Sequence, residues 1–242
     1  MRGVNFLTDM SIILAIETST ECASVALWYE GQVISRSSLG VTTHSQMVLP
    51  MVQEILAQAG VVLTQCDAIA FGAGPGSFTG VRTACGVAQG LAFGVDVPAI
   101  PISTLHTMAC AAWEKIHSSY DVLTLLDARM GEVYWAQYRY HEGWQEVIEP
   151  TLTAPAAVTP QGDVVVVGNG WTVYSSSLTF QNQVQVSNSE IMPHAQYVAQ
   201  LAEDVWKQGK GVAARDAQPF YLRHKVALTR LERQQAAQVV GV

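Results

Sequence analysis

The chain has 242 residues, is 49% hydrophobic and only 14% charged, and carries a formal net charge of −7. That length and apolar content allow one large domain or two small ones around a sizeable core, and they exclude long charged disordered tails. The acidity argues against independent binding to nucleic acid or anionic membrane, because such a surface repels phosphates; any RNA contact needs a partner that supplies basic surface.

The predicted elements follow in chain order. Residues 1–9 read as an upstream start or an extension, because "MRGVNFLTDM" lacks an apolar core of signal-peptide length. "SIILAIETST" is an apolar run ending in a polar turn, and "ECASVALWYEGQVISRSS" continues it as one or two antiparallel strands. "THSQMVLPMVQEILAQAG" predicts a helix with Gly60 as its stop, and Thr43 with Gln46 matches a capping box. "CDAIAFGAGPG" is a short buried strand entering a glycine-rich loop, "TGVRTACGVAQGLAFG" a second helix, and "VPAIPIS" a further strand. The first hundred residues are thus a mixed α/β layer of order β-β-β-α-β-α-β.

A weak repeat appears 110 residues on. "LAIETSTECASVA" (14–26) aligns with "TLLDARMGEVYWA" (124–136), each an apolar strand, an acidic residue (Glu17, Asp127), a turn and a second strand. Beyond it lie the strand-like "DVVVVGNG", a helix in "MPHAQYVAQLAEDVWKQG", then "PFYLRHK" and a polar tail.

The loop "GAGPGSFTG" (72–80) invites a phosphate-binding reading, but the Walker and dinucleotide patterns both fail and no lysine follows. Its glycines are expected to permit a sharp turn and close packing, with Arg82 nearby. In the helix after it, Gly86, Gly90 and Gly94 recur every fourth residue beside Ala84, Ala88 and Ala92. Interior glycines cost about 1 kcal/mol each relative to alanine, so close packing, inside the lobe or on a partner, is expected in return. In the helix before it, Met47, Met51, Ile55, Val48, Ala59, Val52, Leu56 and Leu49 cover roughly 200°, more than the roughly 100° stripe that one sheet requires. The excess suggests a second covered surface, and Pro50 is expected to kink the helix.

Catalytic constellations are weak. Ser77 lacks the G-x-S-x-G setting of a hydrolase and reads as a turn or capping residue. His44 and His106 have no identifiable orienting carboxylate. His106 with Cys110 offers two ligands where a metal site needs a cluster, and His117, His141, His194 and His224 are far apart. Glu17 or Asp127 could hold Mg²⁺ near a phosphate, or serve ordinary turn chemistry. Cys22, Cys66, Cys85 and Cys110 form no C-x-x-C pair, which predicts free thiols in a reducing, cytoplasmic setting. No apolar run reaches the ~20 residues of a membrane span.

Together "ILAIETSTECASVAL", "HSQMVLPMVQEIL", "DAIAFGAGPGSFTGVRTACGVAQGLAFG", "VPAIPISTL", "DARMGEVYWA" and "PFYLR" resemble the bacterial TsaB (YeaZ) family of tRNA threonylcarbamoyladenosine biosynthesis proteins, over about residues 10–223. The resemblance implies an α/β, actin-like (ASKHA) duplicated two-lobe fold with a reduced second lobe. The expected division is 10–108 for the first lobe and 109–225 for the second, with the C-terminal helix returning to the first as an option; 1–9 and 226–242 are extensions. It also implies a non-catalytic subunit that pairs with a catalytic paralogue, TsaD, and with the ATPase TsaE, touches tRNA only through the complex, and forms a homodimer when alone. No cofactor is implied in the isolated chain; ATP and a metal belong to the partners. The paralogue's metal-binding H-x-x-x-H falls, by ungapped alignment, on Thr104 and Met108. The implied partner surface comprises His44, Met47, Val48, Met51, Val52, Ile55, Phe78, Arg82, Gly86 and Gly90. Glu17, Thr18 and Ser19 mark a weak nucleotide contact, with Glu17 standing where the family usually has Asp. The competing readings are a stand-alone actin-like ATPase or phosphotransferase and a Ser77 hydrolase.

Overall fold

The computed structural model describes residues 11–40 and 44–223. Thr43, His224 and the two expected extensions lie outside the described residues.

The first sheet contains β1 (Ile13–Glu17), β2 (Cys22–Tyr29), β3 (Gln32–Leu39), β4 (Ala68–Gly74) and β5 (Ala99–Ser103) in the order β3-β2-β1-β4-β5. The second contains β6 (Asp121–Asp127), β7 (Val133–Tyr140), β8 (Trp144–Thr153), β9 (Val164–Val167) and β10 (Val184–Asn188) in the order β10-β9-β6-β7-β8. Read from the other edge, the second order is the first shifted by five strands. In both sheets the first three strands pair antiparallel and the last two join in parallel. The repeat seen in the sequence is therefore a duplicated architecture, and the fold is the actin-like one. The second hairpin is one residue tighter, since Glu17 pairs with Ser24 but Asp127 with Val133.

Helices α1 (His44–Ala59) and α2 (Phe78–Val95) cover the outer face of the first sheet, where Leu14, Ile16, Val25, Leu27, Ile69 and Phe71 are buried. In the second lobe only one 3₁₀ turn, Pro155–Ala157, stands where α1 would be, and α4 (Asn169–Tyr174) is a short counterpart of α2. This is the reduction that the resemblance implied. Helix α3 (Thr104–Ile116) follows the first sheet yet lies on β6 and β7, whereas α5 (Ala195–Lys207) follows the second and lies on β1 and β2. Each sheet is thus roofed by the helix that follows the other. One continuous core runs from Ile13, Ala15 and Ala26 through Leu105, Met108, Val198 and Leu201 to Leu126, Ala136 and Val167.

Helix α1 ends as read, with Gly60 in the left-handed region (φ 66°) and Val61 N–H donating to Leu56 O at 3.0 Å. Pro50 lies inside it. Helix α3 was not anticipated: Leu105, Thr107, Met108, Ala109, Cys110, Ala111 and Ala112 are all buried, so no polar face marks its period.

At the start of α4, Gly168 (φ 101°) would place a Cβ 2.2 Å from Leu125 O and 2.3 Å from Met108 Cε. A Cβ at Gly86 on α2 would meet none of the described residues within 4 Å. Gly168→Ala is expected to destabilise the chain by roughly 1–3 kcal/mol through strain and overpacking. Gly86→Ala is expected to stabilise it by up to about 1 kcal/mol through helix propensity. Urea denaturation of the two variants checks the opposite signs.

Candidate functional site

The candidate site is the cleft between the lobes, with a volume of about 1040 Å³. Its walls are the β1–β2 turn, the glycine-rich loop, the β6–β7 turn, the entry to α5 and residues 220–223.

The glycine-rich loop lies directly on the β1–β2 turn. A Cβ at Gly72 would fall 1.9 Å from Glu17 Oε2, one at Gly76 2.7 Å from Ser19 O, and one at Gly80 1.9 Å from Thr18 O. Hydrogen bonds seal the contact: Ser77 N–H donates to Ser19 O (2.7 Å) and the Thr18 hydroxyl to Gly80 O (2.7 Å). The glycines do serve close approach, but to the chain's own turn rather than to a partner. The Ser77 hydroxyl accepts from Gly80 N–H at 3.5 Å and caps α2, as expected of a capping residue. Two of the amide donors at this helix start are thereby engaged within the chain, which weakens the phosphate reading further.

Glu17 and Thr18 are buried and do not line the cleft, which corrects their expected nucleotide contact: the loop covers them. Ser19 does line the cleft, and its buried hydroxyl has no partner among the described residues. Glu17 Oε1 accepts from Ser19 N–H at 2.5 Å, while Oε2 has no partner among the described residues. Burial pushes the Glu17 carboxyl above its ordinary value of 4.5, partly offset by the backbone N–H groups of Ser19 and Thr18. Asp127, its counterpart, is spent on local structure. Its Oδ1 accepts from Arg129 N–H (2.8 Å) and from the Tyr174 hydroxyl (2.7 Å), and its own N–H donates to Asn169 (2.9 Å).

The His106–Cys110 pair is not a ligand set. The His106 ring stacks on Tyr138 at 4.8 Å and meets Trp144 edge-on, and burial lowers its pKa to about 4. Burial, with Glu114 and Asp204 nearby, pushes the Cys110 thiol up to about 12. Thr104 and Met108 are fully buried in the shared core. Among the described residues no three His, Cys, Asp or Glu side chains gather as a metal group. The four cysteines are free thiols.

The expected partner surface divides in two. His44, Val48, Met51, Val52 and Ile55 are buried inside the first lobe, where α1 lies on β2 and β3 with α2 beside it. This corrects their assignment to the interface, because the second surface implied by the wide apolar arc is internal. His44 Nε2 sits 3.3 Å from Glu21 O. Met47, Phe78, Arg82, Gly86 and Gly90 are exposed, as are Leu49 and Phe93. Added Cβ atoms at Gly86, Gly90 and Gly94 would meet nothing within 4 Å, so among the described residues these glycines pack against nothing in the lobe. The Arg82 guanidinium lies 3.7 Å from the centroid of the Phe78 ring and donates through Nε to the Tyr221 hydroxyl at 2.9 Å. Sequence reasoning missed Tyr221 and Arg223 as cleft residues; their only signal was the short "PFYLR" stretch.

A family model described as TsaD, tRNA N6-adenosine threonylcarbamoyltransferase, matches residues 38–228. The chain is 42% identical to the TsaB protein of Escherichia coli over 90% of its own length and 97% of that protein. It is also 42% identical to the TsaB protein of Haemophilus influenzae, over 90% and 96% respectively. A solved structure described as YeaZ from Pseudomonas aeruginosa matches with a TM-score of 0.84 at 39% identity, over 88% of this chain and all of that one.

The raised Glu17 pKa sets a pH dependence. Above the ordinary carboxylate value the unfolded chain ionises freely while the folded chain resists. The contribution of neutral Glu17 is therefore fully present below about 4.5 and is lost as pH rises through the raised folded value. Glu17→Gln is expected to flatten that segment of the stability profile, which urea melts between acid and neutral pH would measure.

Proposed function

The chain belongs to the TsaB family of tRNA threonylcarbamoyladenosine biosynthesis proteins, and from that premise we propose that it is a non-catalytic subunit that docks a TsaD-type threonylcarbamoyltransferase through the outer face of α2. Its role in tRNA threonylcarbamoyladenosine biosynthesis follows from the family. The finer assignment is supported by one observation above the rest: none of the described residues lies over the ridge of Gly86, Gly90 and Gly94. Helical glycines without an internal contact are a stability cost with no return among the described residues. A partner helix that approaches the bare backbone supplies the return.

Arg82 and Phe78 begin that face, and Phe93, 77% exposed, ends it. Met47 and Leu49 add exposed apolar side chains from α1. The same face would pair two copies of the isolated chain when no paralogue is present. A non-catalytic role is supported by what occupies the paralogue's ligand positions, since Met108 and Thr104 are core side chains and His106 is held neutral by burial. In this reading TsaE and tRNA engage the assembled complex. The acidic chain leaves the RNA-binding basic surface to its partners, and ATP and metal chemistry belong to them too.

Gly90→Leu tests the docking face. The isolated variant is expected to remain folded, with a melting temperature within about 4 °C of the parent, because a Cβ there meets none of the described residues within 4 Å and leucine improves helix propensity. Pull-down with the TsaD-type partner is expected to be lost. A stable variant that still binds the partner normally would remove α2 from the interface.

A further inference from the structure

Residues 219–223 have no regular secondary structure, yet they are tied down on both sides of the cleft. On the first lobe, Phe220 N–H donates to Ala73 O at 2.7 Å, at the end of β4. Phe220 O lies so close to Gly74 that a Cβ there would fall 2.8 Å away. The Tyr221 hydroxyl takes the Arg82 hydrogen bond, and the Tyr221 ring stands 5.9 Å from that of Phe78. On the second lobe, the Arg223 guanidinium pairs with Glu132 at 2.5 Å and donates to Ala128 O at 3.1 Å. Arg129 O and Met130 Sδ each lie 3.5 Å from it.

The turn that Arg223 grips is itself strained. Arg129 and Met130 are consecutive non-glycine residues in the left-handed region, with φ of 59° and 57°. Such residues persist where surrounding contacts over-determine them. Arg223 is only 17% exposed and presents a planar fork to this turn, so its contacts are those of a seated group rather than a surface ion pair. Phe220, Tyr221, Leu222 and Arg223 all line the cleft.

We propose that residues 219–223 form a strap across the interlobe cleft, with Arg223 on the β6–β7 turn as its clasp, and that release of the clasp opens the cleft. The strap joins the end of β4 and the start of α2 to a strained turn of the other lobe. Entry to the cleft then requires Arg223 to leave its carbonyls and carboxylate, a local opening rather than unfolding of either lobe. This inference does not depend on which partner docks on α2.

Cys22 provides the readout, because it lines the same cleft and is only half-buried, whereas Cys66 and Cys110 are buried in the cores. The full chain is treated with N-ethylmaleimide, and the modification rate of each cysteine is followed by peptide mass mapping. Arg223→Ala is expected to raise the Cys22 rate severalfold while Cys66 and Cys110 keep their rates. Glu132→Gln, which keeps shape and removes charge, is expected to give a smaller rise, and Arg223→Lys to restore part of the protection. Unchanged Cys22 rates in both Arg223→Ala and Glu132→Gln would overturn the strap. So would a parallel rise at Cys22, Cys66 and Cys110, which would mean that Arg223 merely stabilises the whole chain.

Discussion

The contact between the glycine-rich loop and the β1–β2 turn is the constraint on which the first lobe depends. Gly72, Gly76 and Gly80 each stand where a methyl group would collide with Glu17, Ser19 or Thr18. Their absent side chains let β4 pass close beside the buried carboxyl of Glu17 and let α2 start directly over the turn. Two consequences follow from one contact. Glu17 is sealed away from water with one oxygen unpartnered among the described residues, and the start of α2 spends donors on its own chain. A loop whose composition suggests phosphate binding is occupied instead by backbone.

The duplicated architecture places this contact at a cleft rather than on a plain surface. Because α3 roofs the second sheet and α5 roofs the first, the lobes share one core and the turns at their strand ends face each other. Exchange of the roofing helices explains why α3 is apolar on nearly every side, for it is covered by sheet, by α5 and by β4 and β5. Lobes linked in this way still need something to set the opening between their turns. The strap spans that opening, ending on the tightened β6–β7 hairpin, whose Asp127 is already committed to Arg129 and Tyr174.

Surface and core divide the work of α1 and α2. Their apolar residues on the sheet side hold the lobe together, and the glycines of α2 on the far side are covered by none of the described residues. The placement of Gly86, Gly90 and Gly94 over open space separates them from the loop glycines, which are filled by the chain itself. Glycines of the same spacing therefore have opposite roles within one 23-residue stretch, the first set internal and the second external.

The sequence by itself determined the strand and helix types wherever a period was visible, the α1 stop at Gly60, the Ser77 cap, the repeat of Glu17 on Asp127, and the family. These are local or composition-borne signals: side-chain period, turn chemistry and short motifs survive without knowledge of neighbours. It could not decide which surface covers an apolar residue. The wide arc of α1 pointed equally to a partner or to a second internal face, and only the packing of α1 on β2 and β3, with α2 beside it, buried Val48, Met51, Val52 and Ile55. Helix α3 was illegible because burial of nearly every residue from Thr104 to Ala112 erases the polar half of the pattern. The strap was illegible because Tyr221 and Arg223 act on residues about 90 to 140 positions away, at distances that no spacing rule along the chain encodes.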